Sequence, residues 1–150
     1  MNMLLLILLY LATVVGMEFW SAFAHRTIYH GFLWRWHKSH HRPRTGSFEK
    51  NDLFPVLHAV IVAPILIAAL HMGWTLVAVI AAGVTTFGIL YALFHDGFIH
   101  ERLPLGFLAR VAVFRKIRED HLYHHTGDPN AHFGLFFWNR TPARVRHIRR

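Results

Sequence analysis

Hydrophobic positions in this chain gather into long runs instead of alternating with polar ones. Residues 4–24 carry a single charge, Glu18, and residues 53–70 and 74–94 carry none. At 1.5 Å of helical rise per residue, such runs reach about 27 to 31 Å, close to the roughly 30 Å hydrocarbon thickness of a bilayer. The pattern predicts three transmembrane helices over those segments. Pro55 falls in the first turn of the second span, where its missing N–H is harmless, whereas Pro64 lies mid-span and is expected to kink it. His71, Met72 and Gly73 form the expected tight turn between the second and third spans. Residues 103–114 are again apolar but too short to cross and include Arg110. They predict an interfacial or re-entrant amphipathic helix that runs on through Arg115 to His125.

Ala22-Phe23-Ala24 resembles a small-residue cleavage site. The run before it lacks the positive n-region of a signal peptide, so an anchoring helix is expected. Charge then orients the spans. Of the sixteen Lys and Arg residues, six lie between Arg26 and Lys50 and ten from Arg102 onward, four of them in the tail from Thr141. The positive-inside rule puts both basic segments, residues 25–52 and 95–150, on the cytoplasmic side and the N-terminus outward, as three crossings require. Topology thus accounts for the net charge of +8, and nucleic-acid binding is not expected. With 54% hydrophobic residues, the 150-residue chain reads as one integral, multi-pass membrane domain, residues 1–150.

The polar segments are rich in histidine. Ten of the fourteen histidines fall into one order written twice, HxxxxH then HxxHH: His25, His30, His37, His40 and His41, then His95, His100, His121, His124 and His125. Neutral imidazole is the commonest biological metal ligand, and ten exceed what one ion can use. With no cysteine, thiolate sites and iron–sulfur clusters are excluded. In HxxHH the rings sit at i, i+3 and i+4 on one helical face, so one turn is expected to present three nitrogens to one pocket. In HxxxxH the two rings are about 140° apart on an ideal α-helix, so irregular backbone is expected at one of these pairs. The expectation is a dimetal site shared by both halves at one membrane face. Zinc suits imidazole but lacks redox chemistry, whereas a neutral His-rich site with open positions suits iron and O₂.

Around this set, Glu18 is an intramembrane carboxylate expected to hydrogen-bond a ligand imidazole, with a purely structural polar contact as the alternative. Glu49, Asp52 and Asp96 are candidates for the same orienting role, and Asp52 is also placed to cap the second span. His58 is expected to be a satisfied buried histidine, His71 lies on the wrong side, and His132 and His147 are expected at the surface. Trp34, Trp36, Phe48, Phe54, Phe94 and Phe98 neighbour the site in sequence, as interfacial aromatics also do.

The four-part histidine order on a small multi-span chain resembles the fatty acid hydroxylase superfamily of membrane di-iron oxygenases, and within it the bacterial β-carotene hydroxylases. The resemblance is carried by Val15-Gly16-Met17-Glu18, by Ala24-His25-Arg26 through His30-Gly31, and by Trp36-His37-Lys38-Ser39-His40-His41-Arg42-Pro43-Arg44. Phe48-Glu49-Lys50-Asn51-Asp52-Leu53 and His95-Asp96-Gly97 through His100 extend it, so that it covers roughly residues 14–125. It implies an all-α membrane fold, two iron ions held by the ten histidines (zinc in a purified form), and O₂ as co-substrate. It also implies electrons from NAD(P)H through a ferredoxin-type donor, and hydroxylation of a carotenoid β-ionone ring at carbon 3. A bacterial inner-membrane location follows. After His125 the chain departs, reading Thr126-Gly127-Asp128-Pro129-Asn130-Ala131-His132-Phe133-Gly134, which is closer to sterol and fatty acid members and makes their hydroxylases or desaturases the alternative. A divalent-metal transporter or store is the alternative from another class, but it needs ionisable ligands along the spans, and these offer only Glu18 and His58.

Overall fold

The computed structural model describes residues 2–128 and 130–137. It is all-helical, with no strand among these residues. Helix α1 (Met3–Phe23) starts at Asn2, whose side chain accepts from the Leu4 N–H, and runs straight into a π-helical segment, Ala24–Phe32. A short α2 (Trp34–His37) follows, then a 3₁₀ turn, Lys50–Asp52, that leads into α3 (Leu53–His71). Helix α4 (Thr75–Tyr91) likewise passes into a π-helical segment, Ala92–Ile99.

The three long helices match the three apolar runs, and each is long and apolar enough to cross a membrane. Their outward faces are bare hydrocarbon, with Val60, Ile67 and Leu70 each about two-thirds exposed, a surface suited to lipid and not to water. Helix α3 is continuous through Pro64. It turns into α4 through Met72 and Gly73, whose φ of 69° is left-handed and costs glycine nothing. Helix α4 meets α1 at Gly83, where a Cβ would stand 2.8 Å from Thr13 Cβ. Close backbone approach at a small residue is how helices pack where lipid removes the hydrophobic drive between them. The Tyr10 hydroxyl donates to Thr86 Oγ1 at 2.9 Å across the same interface.

The expected single amphipathic helix is two pieces. A 3₁₀ turn, Gly106–Arg110, ends at Val111, which is extended (φ −86°, ψ 123°), and α5 (Ala112–Thr126) begins after it. The break lets Leu105, Leu108 and Phe114 all pack against the buried cluster of Phe98, Ile99, Ile117 and Leu135, while α5 turns its last histidines inward. This cluster is the floor on which the polar site rests. The arginine tail from Thr141 and His147 lie outside the described residues.

Candidate metal centre

The first HxxxxH motif lies on π-helix and the second runs from π-helix to its cap residue His100, where irregular backbone was expected at one of these pairs. A π-helix bonds i to i+5, so the i, i+5 pair that diverges on an α-helix becomes one face. The Leu33 N–H donates to the Ile28 carbonyl and the His100 N–H to the His95 carbonyl, each at 3.0 Å. The His25 and His30 rings accordingly stand 5.1 Å apart, and those of His95 and His100 4.8 Å.

The HxxHH motifs do not serve one pocket each. Ligand atoms of His25, His30, His37, His41 and His124 lie within 4.8 Å of one another, and so do those of His40, His95, His100 and His121. His125 adjoins the second group, its Nε2 2.9 Å from that of His121. At about 100° per residue, i+3 and i+4 splay to opposite sides of i. In both motifs i and i+4 turn to one group while i+3 crosses to the other, so His40 joins the second half's histidines and His124 joins the first half's.

The rings converge through Nε2. Separations are 3.0 Å for His25–His37 and His30–His124, 3.2 Å for His37–His41 and His40–His95, and 3.1 Å for His100–His121. Outer partners fix the other nitrogen. His25 Nδ1 donates to the Phe133 carbonyl (3.0 Å), His124 Nδ1 to the Ala131 carbonyl (2.6 Å), His37 Nδ1 to Asn51 Oδ1 (2.7 Å) and His95 Nδ1 to Asp96 Oδ1 (2.7 Å). In His25 and His37 the proton is therefore on Nδ1, and two bare lone pairs face each other at 3.0 Å. That contact is repulsive unless a cation sits between them.

Burial, reinforced by neighbouring imidazoles, lowers the imidazole pKa values and keeps these rings neutral: His41 falls to about 4, and His124 to about 3. His37 also falls to about 3 through burial, against the Asn51 bond that raises it. His40, His100 and His121 are pushed low by the same causes. Two nitrogens about 2.1 Å from a shared ion stand roughly 3.0 Å apart at a right angle and roughly 3.4 Å at a tetrahedral one. The observed spacings of 3.0 to 3.2 Å are those of nitrogens that can share one ion.

Of the candidate orienting carboxylates, Asp96 bonds a ligand ring directly, and Glu49 Oε2 lies 3.4 Å from His40 Nδ1, in ion-pair reach without hydrogen-bond geometry. Asp52 touches no imidazole. It accepts from the Glu49 N–H, capping the 3₁₀ turn and not α3 itself, and forms a two-pronged ion pair with Arg102 at 2.6 and 2.8 Å. Glu18 touches none either: Oε1 accepts the N–H groups of Phe136 and Phe137 at 2.7 and 3.0 Å, the structural contact. The alternative holds because the chain beyond α5 folds back onto α1, which supplies backbone donors closer than any ring. His132 is buried, not at the surface, with no hydrogen-bond partner on either nitrogen among the described residues. Its left-handed backbone, φ 58°, is part of the bend that aims the Ala131 and Phe133 carbonyls at the cluster. His58 is exposed on α3 instead of buried, and its Nδ1 donates to the Phe54 carbonyl at 2.9 Å. His71 lies at the far end of α3. Asn51 and the two carbonyls are the orienting groups that sequence reasoning passed over. Asn51 stood inside the motif string next to Asp52, and the carbonyls leave no side-chain signal.

A largely apolar cavity of about 350 Å³ opens between α1, α3 and α4, and its inner end is formed by His37, Asn51 and Asp96. Phe54 lines it and stacks on Tyr29 at 4.0 Å, and Tyr91 lines it and stacks on His95 at 4.5 Å. Phe94 and Phe98 belong to the apolar floor instead.

Among known proteins, the profile of the family described as fatty acid hydroxylase matches residues 10–141. The chain is 38% identical over 146 residues to the β-carotene hydroxylase of Pseudescherichia vulneris, covering 95% of this chain and 82% of that protein. It is 41% identical over 122 residues to the β-carotene hydroxylase of Pantoea ananas, covering 79% and 67%. With the chloroplastic β-carotene 3-hydroxylase of Gentiana lutea it shares 41% identity over 126 residues, 81% of this chain and 39% of the plant protein. The chain thus spans about two-fifths of the length of the plant relatives it matches. No solved structure matches it.

Proposed function

The chain belongs to the fatty acid hydroxylase family, and from that premise we propose that it hydroxylates an apolar membrane lipid, namely carbon 3 of the β-ionone ring of carotenoids; its relatives are named β-carotene 3-hydroxylase and β-carotene hydroxylase. The observation that carries this reading is the junction of two imidazole groups with an apolar cavity between spanning helices. Residues 1–150 act as one domain. His25, His30, His37, His41 and His124 hold one iron ion, and His40, His95, His100, His121 and His125 the other. Such a pair supplies O₂ chemistry, in which one oxygen atom enters a C–H bond and the other leaves as water, with two electrons from NAD(P)H through a ferredoxin-type donor.

The protein's own part is to hold and shield. Asn51, Asp96 and the Ala131 and Phe133 carbonyls keep the protons on Nδ1, so that Nε2 faces the ions. Tyr29, Phe54 and Tyr91 wall off the inner end of the cavity from water and press an apolar ring toward it. A substrate dissolved in lipid enters sideways between the spans. The flanking basic residues favour a bacterial inner membrane with the centre on its cytoplasmic side and the N-terminus outward.

Expression in a β-carotene-accumulating host, with metal quantified on anaerobically purified protein, tests this. Hydroxylated carotenoid and two irons per chain are expected. Failure to form any hydroxylated carotenoid, or metal flux in proteoliposomes without O₂ consumption, would overturn it.

A further inference from the structure

Besides Trp20 and Tyr91, the polar side chains Ser21, His58 and Thr85 line the apolar cavity within the spans. Each spends a hydrogen on its own helix. Ser21 Oγ donates to the Glu18 carbonyl at 2.9 Å, Thr85 Oγ1 to the Ala81 carbonyl at 2.8 Å, and His58 Nδ1 to the Phe54 carbonyl at 2.9 Å. A carbonyl only accepts, so Nδ1 of His58 carries the proton. With that one proton on the ring, Nε2 is then a bare acceptor. It has no hydrogen-bond partner among the described residues, and the ring is exposed. What these three groups leave to the lumen is acceptor capacity. A guest that satisfies His58 Nε2 brings a hydrogen, as a hydroxyl does, whereas a ketone is served only by the Trp20 N–H and the Tyr29 and Tyr91 hydroxyls that line the same cavity.

His58 stands one turn along α3 from Phe54, whose ring lies 6.5 Å from that of His37. Four residues of helix place it about 6 Å farther from the metal groups along the cavity. We propose that His58 is a specificity-determining residue that accepts a hydrogen bond from a ring hydroxyl, holding the alcohol product away from the metal centre on its way back to the lipid. This rests on the hydroxylase reading and adds to it a second station in the same cavity, selective for the alcohol over the unhydroxylated ring.

The probes are radiolabelled β-ionone and 3-hydroxy-β-ionone, which share a ketone and differ by the hydroxyl alone. Their affinities for iron-loaded full-length protein in nanodiscs are compared, with empty nanodiscs as the blank. Wild type is expected to bind the alcohol about tenfold more tightly, the worth of one hydrogen bond. His58→Leu should bind both alike, and His58→Gln, whose amide oxygen still accepts, should keep part of the preference. Iron content at the wild-type value reports that each variant is folded, and His58→Phe replaces His58→Leu if the latter loses iron. Equal binding by wild type, or an undiminished preference in the apolar variant, would overturn the proposal. An intact preference in a protein that forms no hydroxylated carotenoid would count against the hydroxylase reading instead.

Discussion

Replacing Glu18 by Ala should cost the protein one metal ion and not two. The Glu18 side chain is 1% exposed and holds two backbone N–H groups of the segment after α5 through one oxygen. That segment delivers the Ala131 and Phe133 carbonyls to His124 and His25, both in the first imidazole group. A buried donor left without its acceptor costs about 1–3 kcal/mol, and because Phe136 is half-buried and Phe137 exposed, the two N–H groups together put about that much on the segment staying where it is. If it lifts away instead, two ligands lose the partners that fix their orientation, and loss of such a partner typically weakens metal binding about 10- to 100-fold. Neither route touches His95, His100 or His121. Iron titration in a buffered chelator series, read by elemental analysis, should therefore show one site at wild-type affinity and one weakened by at least tenfold. Glu18→Gln keeps an oxygen that accepts both N–H groups and should retain two irons. Two unshifted sites in Glu18→Ala would refute the reasoning.

Asn51→Leu should weaken metal binding at the same group about 10- to 100-fold while Asn51→Asp, which still accepts from His37 Nδ1, stays near wild type; chelator-buffered titration reads both. Acid should destabilise the metal-free fold. His37, His41 and His124 titrate in the fold at about 3, 4 and 3, against about 6.5 unfolded, so the unfolded chain binds more protons as pH falls from about 6.5 toward those values. Thermal unfolding of stripped protein should therefore come at lower temperature at pH 5 than at pH 7.5, and the reverse order would contradict the burial of neutral rings. Gly83→Leu should lower the unfolding temperature of the detergent-solubilised protein, because its Cβ alone meets Thr13 at 2.8 Å and overpacking costs about 1–3 kcal/mol.

The sequence carried the spans because lipid demands uninterrupted apolar helix, and a run such as residues 74–94 satisfies little else. It also carried the strain in HxxxxH, since i and i+5 cannot share an α-helical face; the π-helical answer at both sites is what a metal-centred reading of that spacing asks for. What it did not carry depends on chain reversals. Glu18 finds its partners 118 and 119 residues away, and no local pattern brings Phe136 to α1. Asn51 and Asp52 are equally polar neighbours, and only the direction of the 3₁₀ turn decides that one faces His37 and the other Arg102. The division of HxxHH between two groups was within reach of the 100° step, but three rings on one face read more naturally as three ligands for one ion.

The crossing of His40 and His124 makes one step of a turn and one step of a helix into a ruler. His40 and His41 are adjacent in sequence yet face different groups, and so do His124 and His125. Adjacent Cα atoms are 3.80 Å apart across a trans peptide. The interval between the two imidazole groups is thereby referred to covalent geometry twice over, once in the turn that follows α2 and once in α5. Neither half of the chain owns a complete set, so a fragment that ends before α5 would lack His124 from the first group and His121 and His125 from the second. Such a gauge holds its setting through changes in lipid thickness or helix tilt that would spread a site assembled from separate spans.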